Sequence, residues 1–428
     1  MKVLIISYYW PPAGGPGVQR WLKFVKYLRN YSIEPVVFIP QNPSYTVSDY
    51  SLKDEIPQGI ELVKCKIIEP NSLLKKYKKK DSQKSIGFLN SNPSVLERLL
   101  MYIRANYFIP DARMLWIKPA VRTLKKYLSE NKIDLVISTG PPYSLHLIGL
   151  RLKQQLGLKW VADFRDPWTS VDYFHLLPLT KKSLNKHYLL EEKVLKTADG
   201  VIVVSEHAKK KYKANTKLIK VITNGFDEDK TSVLERVKID KKFSLTHIGM
   251  MNSERNPKNL WQALSELCFE NKGFAQDLLL RFVGKIDCNI SEELKKSNIL
   301  HIEKIPYVPH MLARQYQKKS ALLLVVVNNY PNAKEMIPGK TFEYLQAKRP
   351  IIGIGPNDGD LAEILNRSKA GKVFNYSDKN NLKQYILNLY KQYKNGNLGN
   401  LTNNIEKYHR KNLTQQLAVF IRQLISTG

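Results

Sequence analysis

The sequence is poor in cysteine and in acidic side chains, and it lacks long apolar runs. Its three cysteines, Cys65, Cys268 and Cys288, are odd in number and have no metal-ligand spacing, which is typical of a reduced cytoplasmic protein. No apolar run is long enough to cross a bilayer. The apolar stretch 1–7 leads into a glycine-rich turn without a cleavage site, so it predicts a strand rather than a secretion signal. Hydrophobic residues at 43% exclude general disorder.

The shortage of acidic residues makes the chain strongly basic. The chain has 68 lysines and arginines and 38 acidic side chains, which gives a net charge of +30. This charge indicates an anionic partner such as a membrane surface or a nucleic acid. The segment 72–117 mixes lysines with aromatic and aliphatic residues, a composition typical of a peripheral membrane surface. The alternative is a solvated lysine loop followed by helices that face a core.

The order of apolar runs predicts an α/β fold in two domains, because 428 residues exceed the size of a single core. Short buried runs alternate with helical stretches, a pattern typical of parallel sheets covered on both faces. The first series of predicted strands is Val3–Ser7, Pro35–Ile39, Asp134–Ser138, Leu158–Ala162 and Val201–Val204, and the second is Phe243–Ile248, Leu278–Val283, Ile299–Glu303, Leu322–Val327 and Ile351–Ile354. We expect an N-terminal Rossmann-like domain over 1–225, completed by a C-terminal helix at about 408–428, and a second over 240–407. Two such domains would face each other across a cleft.

Glu335 and Glu343 lie eight residues apart on either side of a Pro-Gly-Lys turn. The turn suits the start of a helix running to about Lys348, which leaves Glu335 in the loop before it and Glu343 on the helix. Carboxylates accept hydrogen bonds from sugar hydroxyls, and the Lys340 ammonium would attract phosphate. A capped surface helix with two solvated glutamates is the alternative.

Other polar residues follow predicted strands. Gly14, Gly15 and Gly17 follow the first strand and allow close backbone approach to a ligand, although they do not form a dinucleotide fingerprint, so NAD binding is not expected. Asp163, Arg165 and Asp166 follow the strand predicted at 158–162 and either contact substrate or form an internal salt bridge. In the second half, two cations stand before or at the start of a helix, where a phosphate would bind: Arg255 and Lys258.

With these features in order, the chain resembles a GT-B glycosyltransferase of the large retaining family 4, in which an E-x7-E motif lies in the second domain. The resemblance implies that Glu343 binds the ribose of a nucleotide, that Glu335 lies near the donor sugar, and that Arg255 binds the diphosphate. It also implies catalysis without a metal ion or other cofactor. Members often have an arginine after the glycine that corresponds to Gly249, whereas this chain has Met250, so Lys340 is the expected substitute.

The sequence therefore predicts a glycosyltransferase that moves a sugar from a nucleotide-diphosphate donor to a lipid-linked or polysaccharide acceptor in bacterial surface polysaccharide biosynthesis. Its expected place is the inner face of the cell membrane. Expected catalytic residues are Glu335, Asp166, Arg255 and Lys340. Tyr307 is an expected substrate contact. The alternatives are a GT-B-like nucleotide-sugar epimerase, which needs no acceptor, and a basic nucleic-acid-binding protein, which the absence of a recognised binding module disfavours.

Overall fold

The computed structural model describes residues 1–70, 94–171, 174–227, 237–399 and 402–426. The lysine-rich part of the predicted membrane segment, residues 75–80, lies outside the described residues. The chain divides into two compact units. The N-terminal unit comprises Met1–Asn224 together with Arg410–Gly428, and the C-terminal unit comprises Gly225–His409.

The N-terminal unit is built around a parallel sheet of seven strands in the order β3-β2-β1-β4-β5-β6-β7. The strands are β1 (Lys2–Ile6), β2 (Glu34–Pro40), β3 (Glu61–Cys65), β4 (Leu135–Gly140), β5 (Trp160–Phe164), β6 (Gly200–Val203) and β7 (Ile219–Val221). The helices are α1 (Pro16–Leu28), α2 (Val95–Tyr107), α3 (Ile117–Glu130), α4 (Ser144–Leu156), α5 (Lys181–Thr197), α6 (Glu206–Tyr212) and, from the end of the chain, α14 (Arg410–Ser426).

The C-terminal helix belongs to the N-terminal unit. The apolar side chains of α14 recur at helical spacing, and Leu417, Phe420 and Leu424 are buried in one core with Trp21 and Val25 of α1. This packing confirms the prediction that the final helix returns to the first domain.

The C-terminal unit contains a parallel sheet of six strands in the order β10-β9-β8-β11-β12-β13. The strands are β8 (Phe243–Ile248), β9 (Leu278–Val283), β10 (Ile302–Ile305), β11 (Leu322–Val326), β12 (Ile351–Ile354) and β13 (Gly371–Phe374). The helices are α7 (Lys258–Glu270), α8 (Lys272–Asp277), α9 (Cys288–Lys295), α10 (His310–Lys319), α11 (Lys340–Ala347), α12 (Asp360–Arg367) and α13 (Lys379–Lys394).

The two sheets share one strand order, apart from a seventh strand at one edge of the N-terminal sheet, and in each the first strand of the unit lies beside the fourth. The chain winds in one direction from the first strand and in the other from the fourth, so a crevice forms at the carboxyl ends of these two strands. In the C-terminal unit they are β8 and β11. Ligands of doubly wound sheets bind in this crevice, so the loops after β8 and β11 are expected to form a ligand site.

Candidate functional site

Two glycines shape the backbone after β8. Gly249 has φ +104° and Gly284, after β9, has φ +119°, values that side-chain-bearing residues rarely adopt. Gly249 N donates to the Val283 carbonyl at 2.7 Å, and a carbon added at Gly284 would lie only 2.7 Å from the Gly249 carbonyl oxygen. The two strand ends therefore pack backbone against backbone.

The Lys340 amine lies against this turn. Lys340 is the first residue of α11, and its Nζ would be 3.1 Å from a carbon added at Gly249. The same Nζ is 3.0 Å from Nε2 of His247, a side chain of β8 that is 1% exposed. Burial and the positive charge of Arg255 lower the pKa of Lys340 to about 7, against the opposing effect of Glu343. An amine with this pKa is poised to gain charge when an anion arrives.

Arg255 connects the loops that follow the two central strands. It ends a short 3-10 turn, Ser253–Arg255, between β8 and α7, and its Nε donates to Oδ1 of Asn328 at 2.6 Å. Asn328 is buried just after β11. This bond fixes the guanidinium at the crevice of the C-terminal unit. Lys258, the first residue of α7, is exposed.

The two glutamates of the E-x7-E pattern have different surroundings. Glu335 ends a 3-10 turn before α11 and is 8% exposed. Glu343 lies in the first turn of α11, where its two oxygens pair with His310 Nε2 at 2.9 Å and Gln317 Nε2 at 2.8 Å. Burial raises the pKa of the Glu343 carboxyl, but the bonds from His310 and Gln317 outweigh it, so the net shift is downward. Glu343 is thus an ionised hydrogen-bond acceptor.

Tyr307 stands in the loop between β10 and α10 and is 81% exposed. It precedes by three residues the His310 that pairs with Glu343, and the side chain of Met311 beside it is also exposed. Exposed aromatic and sulfur-bearing side chains of this kind can pack against a flat ring.

Sequence reasoning missed four residues of this site. His247 is hidden within an apolar strand, and Asn328 follows a strand without any motif. His310 and Gln317 carried a weak signal, because residues seven apart share one face of a helix. Each supports a residue that sequence reasoning did find.

In the N-terminal unit, the glycine turn after β1 is partly occupied by its own chain. Gly14 N donates to the Val47 carbonyl at 2.9 Å, and the Gly17 carbonyl accepts from Arg165 Nη1 at 2.9 Å. Gly15, which precedes α1 with φ +86°, has no atom within 4 Å of the position of an added carbon. Of the three glycines, Gly15 is the one with open space beside it.

Asp163 is fully buried on β5 and accepts hydrogen bonds from three side chains. Arg20 donates at 2.9 and 3.3 Å, Trp21 Nε1 at 2.7 Å and Thr139 Oγ1 at 2.8 Å. Burial raises the pKa of Asp163, but the charge and hydrogen bonds of Arg20 and the two other donors lower it overall. The geometry favours a structural role: the salt bridge considered from the sequence exists, with Arg20 rather than Arg165 as the partner.

Arg165 and Asp166 follow Asp163 in the sequence and are not part of its ion pair with Arg20. Arg165 is largely buried, donates to the Pro141 carbonyl as well as to Gly17, and lies over the Tyr9 ring at 5.7 Å. Asp166 is partly exposed after the end of β5. Of the two carboxylates in this segment, Asp166 is the one with exposed surface.

Part of the chain matches a known family. Residues 89–230 match the model of Glycosyltransferase Family 4, which is about a third of the chain and falls mainly in the N-terminal unit. No curated protein has a matching sequence.

Solved structures match over the whole chain. Sucrose-phosphate synthase from Thermosynechococcus elongatus is 13% identical, with 100% of each chain covered and a TM-score of 0.62. WaaG, a glycosyltransferase involved in lipopolysaccharide biosynthesis, is 13% identical over 98% of this chain and 99% of its own, with a TM-score of 0.57. The Anabaena protein HepE in complex with UDP-glucose is 15% identical over 100% and 98%, with a TM-score of 0.55. The fold is GT-B. With the family match, it indicates a glycosyltransferase.

Proposed function

We propose that the protein transfers a sugar from a nucleotide-diphosphate donor, held by the C-terminal unit, to a lipid-linked or polysaccharide acceptor on the N-terminal unit. We propose further that it acts with retention, as a family 4 enzyme with an E-x7-E motif, in bacterial surface polysaccharide biosynthesis. The observation that carries the proposal is the convergence of Arg255 and Lys340 at the carboxyl end of β8, beside the Gly249 turn. The reported function of WaaG supports the polysaccharide role.

Arg255 and Lys340 have the chemistry to stabilise a departing diphosphate. Cleavage of the sugar–phosphate bond places positive charge on the anomeric carbon and negative charge on the leaving group, and fixed cations stabilise that charge separation. The Asn328 bond fixes Arg255, and His247 lies against Lys340. The start of α7, with Lys258, adds a helix dipole of the same sign. No metal ion or cofactor is required by this proposal.

The glutamates bind the two ends of the donor. Glu343 accepts hydrogen bonds from the ribose hydroxyls, and its present partner His310 is an exposed side chain at the start of α10. Tyr307 offers a surface for the base. Glu335 accepts hydrogen bonds from the hydroxyls of the transferred sugar. On the acceptor side, Gly15 and Asp166 have accessible surface and contact the acceptor. The residues that hold this part of the chain in place are Gly14, Gly17, Asp163 and Arg165. In same-face attack, the donor phosphate takes the acceptor's proton.

Single replacements of Arg255 and Glu335 by alanine test the site assignment. With a donor identified from a panel of nucleotide sugars, we expect Arg255→Ala to lower the turnover of donor by about 10²-fold, because one preorganised donor to a developing anion contributes about 3 kcal/mol. Glu335→Ala should lower turnover while leaving nucleoside diphosphate affinity within about threefold. Lys391→Ala, which changes an exposed lysine of α13, is the control. Wild-type turnover in both site variants would remove the assignment, and an epimerised sugar from donor alone would indicate an epimerase instead.

We also propose that α2 contacts an anionic membrane. Its exposed apolar side chains follow helical spacing: Val95, Leu96, Leu99, Tyr102, Ile103 and Tyr107. Arg98 and Arg104 are exposed on the same helix, and Asn106 anchors it through bonds to Pro178 and Thr180. Among the described residues, no helix has the length and apolar character of a membrane span. The helix would lie in the interface, as amphipathic helices with basic residues do.

Replacing Leu96 and Leu99 together by glutamate should lower binding to phosphatidylglycerol vesicles by about 10²-fold or more. Each leucine withdrawn from the interface costs about 1.5–3 kcal/mol, and the added charges repel the lipid. Co-sedimentation measures the effect. Phe269→Glu, on an exposed apolar residue of the C-terminal unit, is the matched control and should bind as the wild type does. Equal binding of the double variant and the control would remove α2 as the membrane contact.

A further inference from the structure

His247 and Lys340 bring a buried imidazole within hydrogen-bond distance of an amine that is expected, from the sequence, to bind phosphate. Nε2 of His247 and Nζ of Lys340 are 3.0 Å apart. Nδ1 of His247 is buried and has no hydrogen-bond partner among the residues described. Lys340 is therefore the polar contact of this imidazole, and no other side chain in the described part of the chain orients the ring by hydrogen bonding.

The protonation of the pair follows from its burial. Two positive charges 3 Å apart in a dry environment repel strongly, so the imidazole is neutral when the amine is charged. Burial and the charges of Lys340 and Arg255 hold the pKa of His247 well below its usual range. A neutral imidazole has one acceptor nitrogen. With the proton of the imidazole on Nδ1, Nε2 accepts an N–H of Lys340 whether the amine is charged or neutral, and this bond keeps the amine on β8 instead of extended into solvent.

The charged and titratable groups around Lys340 come from several elements. Arg255 comes from the loop after β8 and opposes the charge on Lys340, whereas Glu343, one turn along α11, favours it. Glu343 itself is held by His310 and Gln317 of α10. The remaining titratable groups on the same short stretch are Lys334, Glu335 and Tyr344. An arriving diphosphate would reverse the balance, because its negative charge offsets the repulsion from Arg255.

We propose that His247 is a positioning residue that holds the Lys340 amine beside the Gly249 turn, so that a diphosphate bound there takes up a proton from solvent onto Lys340. The inference rests on the proposed function, since it needs a nucleoside diphosphate in the C-terminal unit. The proton bonds to the lone pair of the amine, and no other bond forms or breaks. His247 acts through Lys340 and does not touch the ligand.

Calorimetric titration measures the number of protons that the protein takes up on binding. UDP, GDP, ADP and CDP are titrated at about pH 8 in buffers that differ in ionisation enthalpy. Because burial and the charge of Arg255 lower the pKa of Lys340 to about 7, the wild type should take up close to one proton with the diphosphate that binds. Above that pKa its affinity should fall by up to about tenfold per pH unit, until the higher pKa of the bound state is reached.

Three variants separate positioning from mere packing. His247→Leu removes the acceptor, so Lys340 extends into solvent, uptake falls close to zero and affinity drops about three- to tenfold. His247→Gln keeps an acceptor at similar reach and should restore both uptake and affinity. Lys340→Met should abolish uptake. Thermal unfolding confirms that each variant is folded.

The outcomes distinguish this inference from the function on which it rests. If the wild type binds no nucleoside diphosphate, the proposed function and this inference both fail. Binding without proton uptake, uptake that persists in Lys340→Met, or a folded His247→Leu protein with wild-type uptake and affinity would overturn the inference alone. A folded His247→Gln protein that behaves like His247→Leu would overturn it as well.

Discussion

Replacing Lys340 by methionine is expected to slow sugar transfer by about 10²–10³-fold. The methionine fills the same space but cannot neutralise the leaving diphosphate, and loss of one preorganised electrostatic group costs about 3–4 kcal/mol of transition-state stabilisation. The loss should be larger in kcat than in KM, because the negative charge on the diphosphate grows as the bond to the sugar breaks. Steady-state kinetics with a nucleotide sugar and its acceptor measure the effect.

Lys348→Met is the matched control for this prediction. Lys348 is an exposed lysine at the opposite end of α11, so the same substitution removes the same charge from the same helix. We expect it to transfer sugar at nearly the wild-type rate. Equal rates for Lys340→Met and Lys348→Met would show that Lys340 does not contact the diphosphate in the transition state.

Replacing Asp163 by alanine is expected to lower the free energy of unfolding by about 3–5 kcal/mol. The substitution leaves the Arg20 guanidinium buried without its carboxylate, and breaking one side of a buried pair carries a cost of this size. Trp21 and Thr139 lose an acceptor in the same step. Denaturant unfolding followed by circular dichroism measures the change.

Asp166→Ala, three residues along the same segment, is the control for stability, because this carboxylate is partly exposed and its loss should cost less than about 1 kcal/mol. The ion pair should also depend on pH. The pKa of Asp163 is lowered by folding, so its contribution is present above the unfolded value of 3.8 and is lost as the pH falls below it. Equal stability of Asp163→Ala and Asp166→Ala would contradict a structural role for Asp163.

The central strands of both sheets could be predicted from the sequence, whereas several edges could not. β8, β9 and β12 coincide with the predicted runs because strands covered on both faces are continuously apolar. The strands missed by sequence reasoning are β3, β7 and β13, all of them edges with partly exposed residues. An edge strand is half solvated, so its composition does not distinguish it from a loop.

The residues of the candidate site could be predicted where they follow a strand, but not where they lie within one. Arg255, Lys340 and Glu343 are charged residues in loops or first helical turns, positions that the doubly wound fold assigns to ligands. His247 is a polar residue within a buried strand, and only the structure shows which side chain it faces. The partner of Asp163 is 143 residues away along the chain, a contact that local spacing does not encode.

The most direct test of a nucleotide-diphosphate site in the C-terminal unit is a thermal-shift titration against a panel of nucleotide sugars. At about 100 times its dissociation constant, the correct donor should stabilise the protein by about 2.7 kcal/mol and raise the unfolding midpoint by about 5–10 °C. The rise should grow with the logarithm of donor concentration and be much smaller in Lys340→Met. A flat response to every nucleotide sugar would contradict the assignment of this site.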